Sequence, residues 1–227
     1  MATGPEPDAP PARPAATVVV ARDTGHGPEV LLLRRSAVGA FPGLWVFPGG
    51  RVDQTDLGTD DEARARVAAA REAAEEARLD LDPSRLRTWS HWTPPADSHR
   101  RFATWFFVAR VGSEVEAIVD GHEIEEHRWV RLHDRAGLEL PIVAPTYVTL
   151  HQLAMRRRAT DLVELGNPFG VESFETKRTV SGDQMVLLWH GDAGYELGDP
   201  SVRGPRHRAV VDGTRVVTYV RDVTPAG

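Results

Sequence analysis

Residues 16–22 and 29–35 are runs of β-branched and leucine side chains separated by a glycine-containing turn, the pattern of a β-hairpin. Residues 44–47 predict a short strand leading into the pair Gly49-Gly50. From about Glu62 to Leu79 the chain contains neither Pro nor Gly and is dominated by Ala, Arg and Glu, so intrinsic propensity favours a helix. Residues 87–93 and 101–111 read as strands. In the second, Phe102, Thr104, Phe106 and Val108 share one face, and Arg101, Ala103, Trp105 and Phe107 share the other. Residues 126–132 form a further strand around Trp129. Residues 145–158, with apolar Val148, Leu150, Leu153 and Met155, predict a second helix ending on basic residues that suit its C-terminus. This order predicts an α/β/α sandwich with a mixed sheet over residues 16–165.

Beyond Gly166 the pattern changes to short strands. Asp212-Gly213 between two β-branched runs is a type I′ hairpin signal, and Ser181-Gly182-Asp183 marks a turn ahead of a strand over 185–190. Residues 166–227 are expected to form a small β appendage, with three roles open to it: covering the active site, mediating a homodimer, or packing on the core. A winged helix is disfavoured, because no pair of helical patterns occurs there.

Composition narrows the class. At 227 residues and 41% hydrophobic, the chain can bury a sizeable core. A net charge of -6 argues against a general nucleic-acid binder, and no apolar run approaches the roughly 18 residues of a membrane span. Arginine supplies nearly all the positive charge, Lys177 being the single lysine. With no cysteine, disulfides, thiol catalysis and thiolate metal sites are excluded. Residues 1–15, rich in Pro and Ala and lacking an apolar core, read as a disordered leader rather than a secretion signal, so a cytoplasmic location is expected.

The chemistry is concentrated on the first helix. Glu72, Glu75 and Glu76 are spaced i, i+3, i+4, which places three carboxylates on one side within about one turn. Such crowding raises each pKa unless a cation neutralises the group. A hard divalent ion does so through carboxylate oxygens while keeping positions for substrate phosphates. Gly49 and Gly50 let the backbone approach closely, and their carbonyls can add ligands. The competing reading is a solvated helix face whose glutamates pair with Arg71 and Arg78. The preceding Phe47-Pro48-Gly49-Gly50 and the arginine directly before Glu72 favour the metal site.

Together these residues resemble a Nudix box, the loop-helix-loop that holds divalent cations against a diphosphate. The resemblance implies Mg2+ or Mn2+ held by Glu72, Glu75 and Glu76 with a Gly49 or Gly50 carbonyl. Gly50 and Arg71 are separated by 20 residues, about seven more than the family's usual spacing. Glu62 or Asp61 is expected to stand in for the first acid of the box, and Arg78 occupies the place of its closing glycine. His91-Trp92-Thr93-Pro94, Arg101-Phe102, the segment from Glu123 to Trp129, and Pro145-Thr146 are similar to the coenzyme A and acyl-CoA diphosphatase branch of the family. The similarity covers roughly residues 16–160. Leu32-Leu33-Arg34-Arg35-Ser36 partly matches the coenzyme A signature upstream of the box.

Glu123 is a further catalytic candidate, a ligand or general base arriving from outside the box, alongside Glu72 and Glu76. Arg34, Arg35, Arg51 and Arg101 are phosphate-contact candidates, and Thr93 and Phe102 complete the substrate set. The histidines lack a spacing such as HExxH, and Trp45, Trp92, Trp105 and Phe107 read as core before base-stacking residues. The partner expected is a small nucleoside diphosphate derivative. The alternatives to coenzyme A are ADP-ribose or a dinucleotide, or a noncatalytic nucleotide-binding module.

Overall fold

A computed structural model describes residues 11–38, 41–119, 121–134 and 136–222. The first ten residues of the expected leader lie outside them, whereas Arg13 to Ala15 already belong to a strand.

The first hairpin is β1 (Arg13–Thr24) and β2 (Gly27–Arg35). There follow β3 (Trp45–Val46), β4 (Gly49–Arg51), α1 (Asp61–Ala77), β5 (Arg87–Thr93), β6 (Phe102–Arg110), β7 (Ile124–Arg131), α2 (Ala144–Leu153) and α3 (Ala159–Glu164). β1 is the pivot: it runs parallel to β6 and antiparallel to β2 and β4, so the sheet is mixed. The main order is β3-β2-β1-β6-β5, with β7 pairing β2. Pairing of Gly49 and Gly50 with Thr17 and Ala16 makes the glycine segment a strand in its own right.

Strand alternation divides the interior in two. Val18, Val20, Leu31, Leu33 and Phe107 face α1, which meets them with Ala65, Ala68, Ala69, Ala73 and Ala77. This stripe of methyl groups lets the helix lie close to the sheet. Val19, Leu32, Phe106 and Val108 point the other way, onto Val148, Leu150 and Leu153 of α2 and Leu162 of α3. The faces expected for β6 are therefore those observed, and the α/β/α sandwich is formed.

The second helix is shorter than expected. α2 stops at Leu153, Met155 is exposed, and Arg158 begins α3 instead of closing α2. The break arises because Asp23, at the end of β1, accepts a hydrogen bond from Ala159 N at 2.7 Å, capping a new helix start that carries Leu162 into the core.

The C-terminal segment contains β8 (Glu172–Glu175), β9 (Lys177–Ser181), β10 (Gln184–Leu188), β11 (His207–Asp212) and β12 (Arg215–Arg221). β8 joins the main sheet, parallel to β5, and the other four form an antiparallel sheet ordered β12-β11-β10-β9. Trp92 stacks on Phe174 with centroids 3.8 Å apart, and Trp189, Ala209, Val211 and Val216 share the core behind them. One continuous core thus crosses the composition change at Gly166. In the last hairpin Asp212 pairs with Arg215, leaving Gly213-Thr214 as the loop. Gly213 has φ 57°, but Thr214 has no positive φ, so the expected type I′ turn, which needs both, is not formed.

Candidate active site

The strand directions gather the chemistry at one end of the sheet. Because β1 and β6 are parallel and β2, β4 and β5 run against them, the ends carrying Arg34 and Arg35, Gly49 to Arg51, Thr93, and Arg101 with Phe102 coincide. Glu123, just before β7, arrives at the same end, since β7 is antiparallel to β2.

α1 brings its carboxylates to this end. Gly49 N donates to Glu76 Oε2 at 2.9 Å, and a Cβ on Gly50 would overlap the Glu72 carboxylate, so only glycine admits that approach. Thr17 Oγ1 donates to Pro48 O at 2.7 Å and fixes the loop from β1. Glu76 is 6% exposed, whereas Glu75 is open to solvent. Burial, with Glu72 and Glu123 nearby, pushes the Glu76 carboxyl up to about 8 against the opposing pull of Gly49 N and Arg35. Burial likewise raises Glu72, opposed by the adjacent Arg71.

Arg71 serves as the internal clamp of the box. Its guanidinium donates to both oxygens of Asp56, at 3.0 and 3.1 Å, and to Glu72 and Glu75 at 2.9 and 3.1 Å. It also holds Arg51 O at 2.9 Å. The fork on Asp56 raises the Arg71 pKa most. Burial would raise Asp56, but Arg71 and the amide of Asp53 hold it below the usual carboxylate range.

Asp56 corrects the expected first acid. Glu62 instead binds Arg66 and Thr88, and with Asp61 it lines a concavity at the opposite end of α1. Five residues, Arg51 to Thr55, lie between Gly50 and Asp56, the family's own interval. The extra length follows Asp56 and extends α1 at its start, where Asp60 caps Ala63 N at 2.8 Å and Arg64 ties the loop by donating to Asp53 O and Asp56 O. Arg78 takes up the left-handed turn at the helix end itself, with φ 56°.

Arg35 links the helix to Glu123. Its Nη1 lies 3.2 Å from Glu76 Oε1, and its Nη2 binds Glu123 Oε1. Glu123 is also fixed through its backbone, its carbonyl accepting from Ser36 N at 2.9 Å. Arg34 points elsewhere, to Glu125 and Glu126 at 3.2 and 3.5 Å. Arg51 lies over the Phe102 ring at 5.8 Å, on the sheet face away from α1, and Thr93 ends β5 two strands from β1. The site therefore has two parts: carboxylates with Arg35 and Arg71 on one side, and an Arg51, Phe102, Thr93 and Arg101 rim toward β6 and β5.

A NUDIX domain model matches residues 11–153. The chain belongs to the NUDIX domain family. A Caenorhabditis elegans protein assigned as nudix hydrolase 7 is 30% identical over 154 residues, 52% of this chain and 51% of that protein. The chain thus spans about half the length of that curated relative. The crystal structure of a Nudix hydrolase from Alicyclobacillus acidocaldarius aligns with TM-score 0.59 and 26% identity over 67% of this chain and 96% of its own. The Nudix domain of Shewanella oneidensis NrtR, solved with ADP ribose, shares the fold at TM-score 0.52 and 19% identity, covering 64% of this chain and 88% of that one.

Nudix enzymes generally use divalent metal ions, and the Nudix box of this chain fits one chemically. Its donors are all oxygen, they lie beside a glycine pair with no side chains to block approach, and the buried Glu76 is incompletely compensated. Among the described residues no three such side chains already converge tightly enough to hold an ion. Arg71 bridges Glu72 and Glu75, and Arg35 bridges Glu76 and Glu123. No helix among the described residues is long and apolar enough to cross a membrane.

Proposed function

We propose that this Nudix chain is a diphosphatase dependent on Mg2+ or Mn2+ that hydrolyses the diphosphate linkage of a nucleoside diphosphate derivative, with coenzyme A or acyl-CoA as its substrate. The products are 3′,5′-ADP and a 4′-phosphopantetheine, acylated when the substrate is. The observation that carries the reading is the convergence of Glu72 and Glu76 on Gly50 and Gly49, with Glu123 joined to Glu76 through Arg35. The Thr93-Pro94, Arg101-Phe102 and Pro145-Thr146 matches support the coenzyme A assignment.

Glu72, Glu75 and Glu76, with the Gly49 and Gly50 carbonyls, would hold the ion. Such an ion offsets charge on the diphosphate and lowers the pKa of water. Arg71, committed to Asp56, orients Glu72 and Glu75 rather than binding substrate. Glu123, 60% exposed and held by Arg35, accepts the proton of the attacking water. Arg51 and Arg101 face the phosphates of the leaving nucleotide, and Phe102 and Thr93 border its organic part.

The test is turnover of coenzyme A, acetyl-CoA, dephospho-CoA, ADP-ribose, NADH and diadenosine polyphosphates with Mg2+ or Mn2+, with products identified by mass. Coenzyme A species should yield 3′,5′-ADP and outrun dephospho-CoA. Faster cleavage of ADP-ribose than of any coenzyme A species would transfer the assignment to that substrate, and no turnover of any compound would refute the diphosphatase reading.

A further inference from the structure

The β5–β6 loop, residues 94–100, connects Thr93 to Arg101 and Phe102 and so borders the substrate rim on both sides. Strands lie about 4.8 Å apart, so β5 stands roughly 10 Å from β1. An organic arm running from a diphosphate at Gly49 and Gly50 across β6 would meet this loop at its far end.

The C-terminal segment grips the same loop. β8 extends β5 in parallel, and beyond it Thr176 N donates to Thr93 O at 3.0 Å. Trp189 Nε1, buried in the core, donates to Thr176 Oγ1 at 3.1 Å and fixes this connection. Two residues on, Arg178 is locked into the second sheet opposite Leu187. From there its Nη2 reaches Asp97 Oδ1 at 2.9 Å and Ser98 Oγ at 3.2 Å. Asp97 is 65% exposed and Arg178 33%, so the contact is a surface latch on a loop rather than part of the core.

We propose that β8 and β9 are a specificity element of the active site, in which Arg178 is a positioning residue that holds the 94–100 loop as the outer wall of the substrate cleft. The inference rests on the function proposed above. It gives the C-terminal segment a role in choosing the organic moiety of the substrate, while the chemistry at the diphosphate, on the far side of β1, proceeds without it.

The experiment compares Arg178→Ala, Arg178→Lys, Asp97→Asn and the Arg178→Ala/Asp97→Asn double variant in the full chain. Hydrogen exchange of peptides covering 94–100 is followed alongside kcat and KM for the best substrate of the panel. Arg178→Ala should speed exchange in the loop and raise KM up to about fivefold, the range of an exposed ion pair, with kcat close to that of the parent. Arg178→Lys should recover part of both effects. The double variant should be no worse than Arg178→Ala alone, because the two side chains act as one contact. Unchanged exchange in 94–100 would overturn the latch. A loss of kcat at constant KM, or KM unchanged beside faster exchange, would overturn its role in specificity. If the parent hydrolyses no compound in the panel, the proposed function falls together with the specificity role, and the exchange data alone decide whether Arg178 orders the loop.

Discussion

Glu76 and Asp192 are both buried carboxylates that face an arginine, yet their surroundings drive them in opposite directions. Asp192 receives Arg208 on both oxygens at 2.6 Å, His207 N at 2.9 Å on Oδ2 and Gly194 N at 2.9 Å on Oδ1. Burial alone would raise its pKa, but these donors hold it below the usual carboxylate range. Glu76 receives Gly49 N on one oxygen and Arg35 on the other at a longer 3.2 Å, and it shares Arg35 with Glu123. Burial then dominates, and its carboxyl is pushed up to about 8. A full set of donors makes Asp192 the knot of the loop between β10 and β11. An incomplete set beside two further carboxylates leaves the charge of Glu76 only partly offset by the fold, the condition expected of a functional group.

The sharpest way to break this contrast is at Glu76. Glu76→Gln retains size and helix propensity but removes the charge, so turnover should fall roughly 100- to 1,000-fold. Stability without metal should hold or rise, because a poorly compensated buried charge is gone. In parallel, Glu123→Gln should lower kcat and kcat/KM together while calorimetric Mn2+ affinity stays near that of the parent. Near-normal turnover in Glu76→Gln would remove it from the metal set, and weakened Mn2+ binding in Glu123→Gln would make that residue a ligand instead of the base.

Asp192→Asn is the reciprocal case. It breaks a buried pair by removing one charge and should cost about 3 kcal/mol of unfolding free energy, with turnover per folded molecule preserved. The pH dependence separates the two carboxylates further. A depressed folded pKa means that the Asp192 contribution is present above its ordinary 3.8 and is lost as pH falls through the lower folded value. For Glu76 the sign reverses: the folded protein binds the proton more tightly, so its contribution is full below 4.5 and is lost as pH rises to about 8. Chelator-treated protein should therefore lose stability between about pH 5 and 8, and Glu76→Gln should flatten that slope. Asp192→Asn should flatten only the acid limb. Identical pH profiles for both variants would show that the two carboxylates do not differ as described.

Much of this contrast was legible before the fold. The i, i+3, i+4 spacing of Glu72, Glu75 and Glu76 depends only on helix periodicity, and the two faces of β6 follow from strand alternation. Asp56 was legible too: counting five residues on from Gly50 reaches it once aspartate is accepted for glutamate, whereas an acid sought inside the helix leads to Asp61 or Glu62. Arg35 was not legible in its observed place, since its neighbour Arg34 has the same chemistry and only the pleat sends one to Glu76 and the other to Glu125. The Trp92–Phe174 stack joins residues 82 positions apart, so the composition change at Gly166 looked like a boundary although the core runs through it. Asp192 gave little signal, because only Gly194 N lies near it in sequence, while its other three donors, from His207 and Arg208, are brought to it by the β10–β11 pairing.

The smallest expected effect lies at the end of the helix that carries Glu76. Arg78 sits at φ 56° and ψ 33°, with its own N–H on Ala74 O at 3.1 Å and Leu79 N on Ala73 O at 3.2 Å. These bonds form the left-handed closing turn in which glycine is usual. An L-residue there costs roughly 1 kcal/mol, which glycine avoids, while the added freedom of glycine in the unfolded chain returns part of that gain. Arg78→Gly should therefore stabilise the protein by about 0.5 kcal/mol, a rise in Tm of roughly 1–2 °C. Turnover should not change, since the Arg78 side chain is exposed and lies outside the set around Gly49. A lower Tm would mean that the arginine side chain contributes more than its backbone conformation costs. The closing turn would then be held by contacts of Arg78 rather than merely tolerating it.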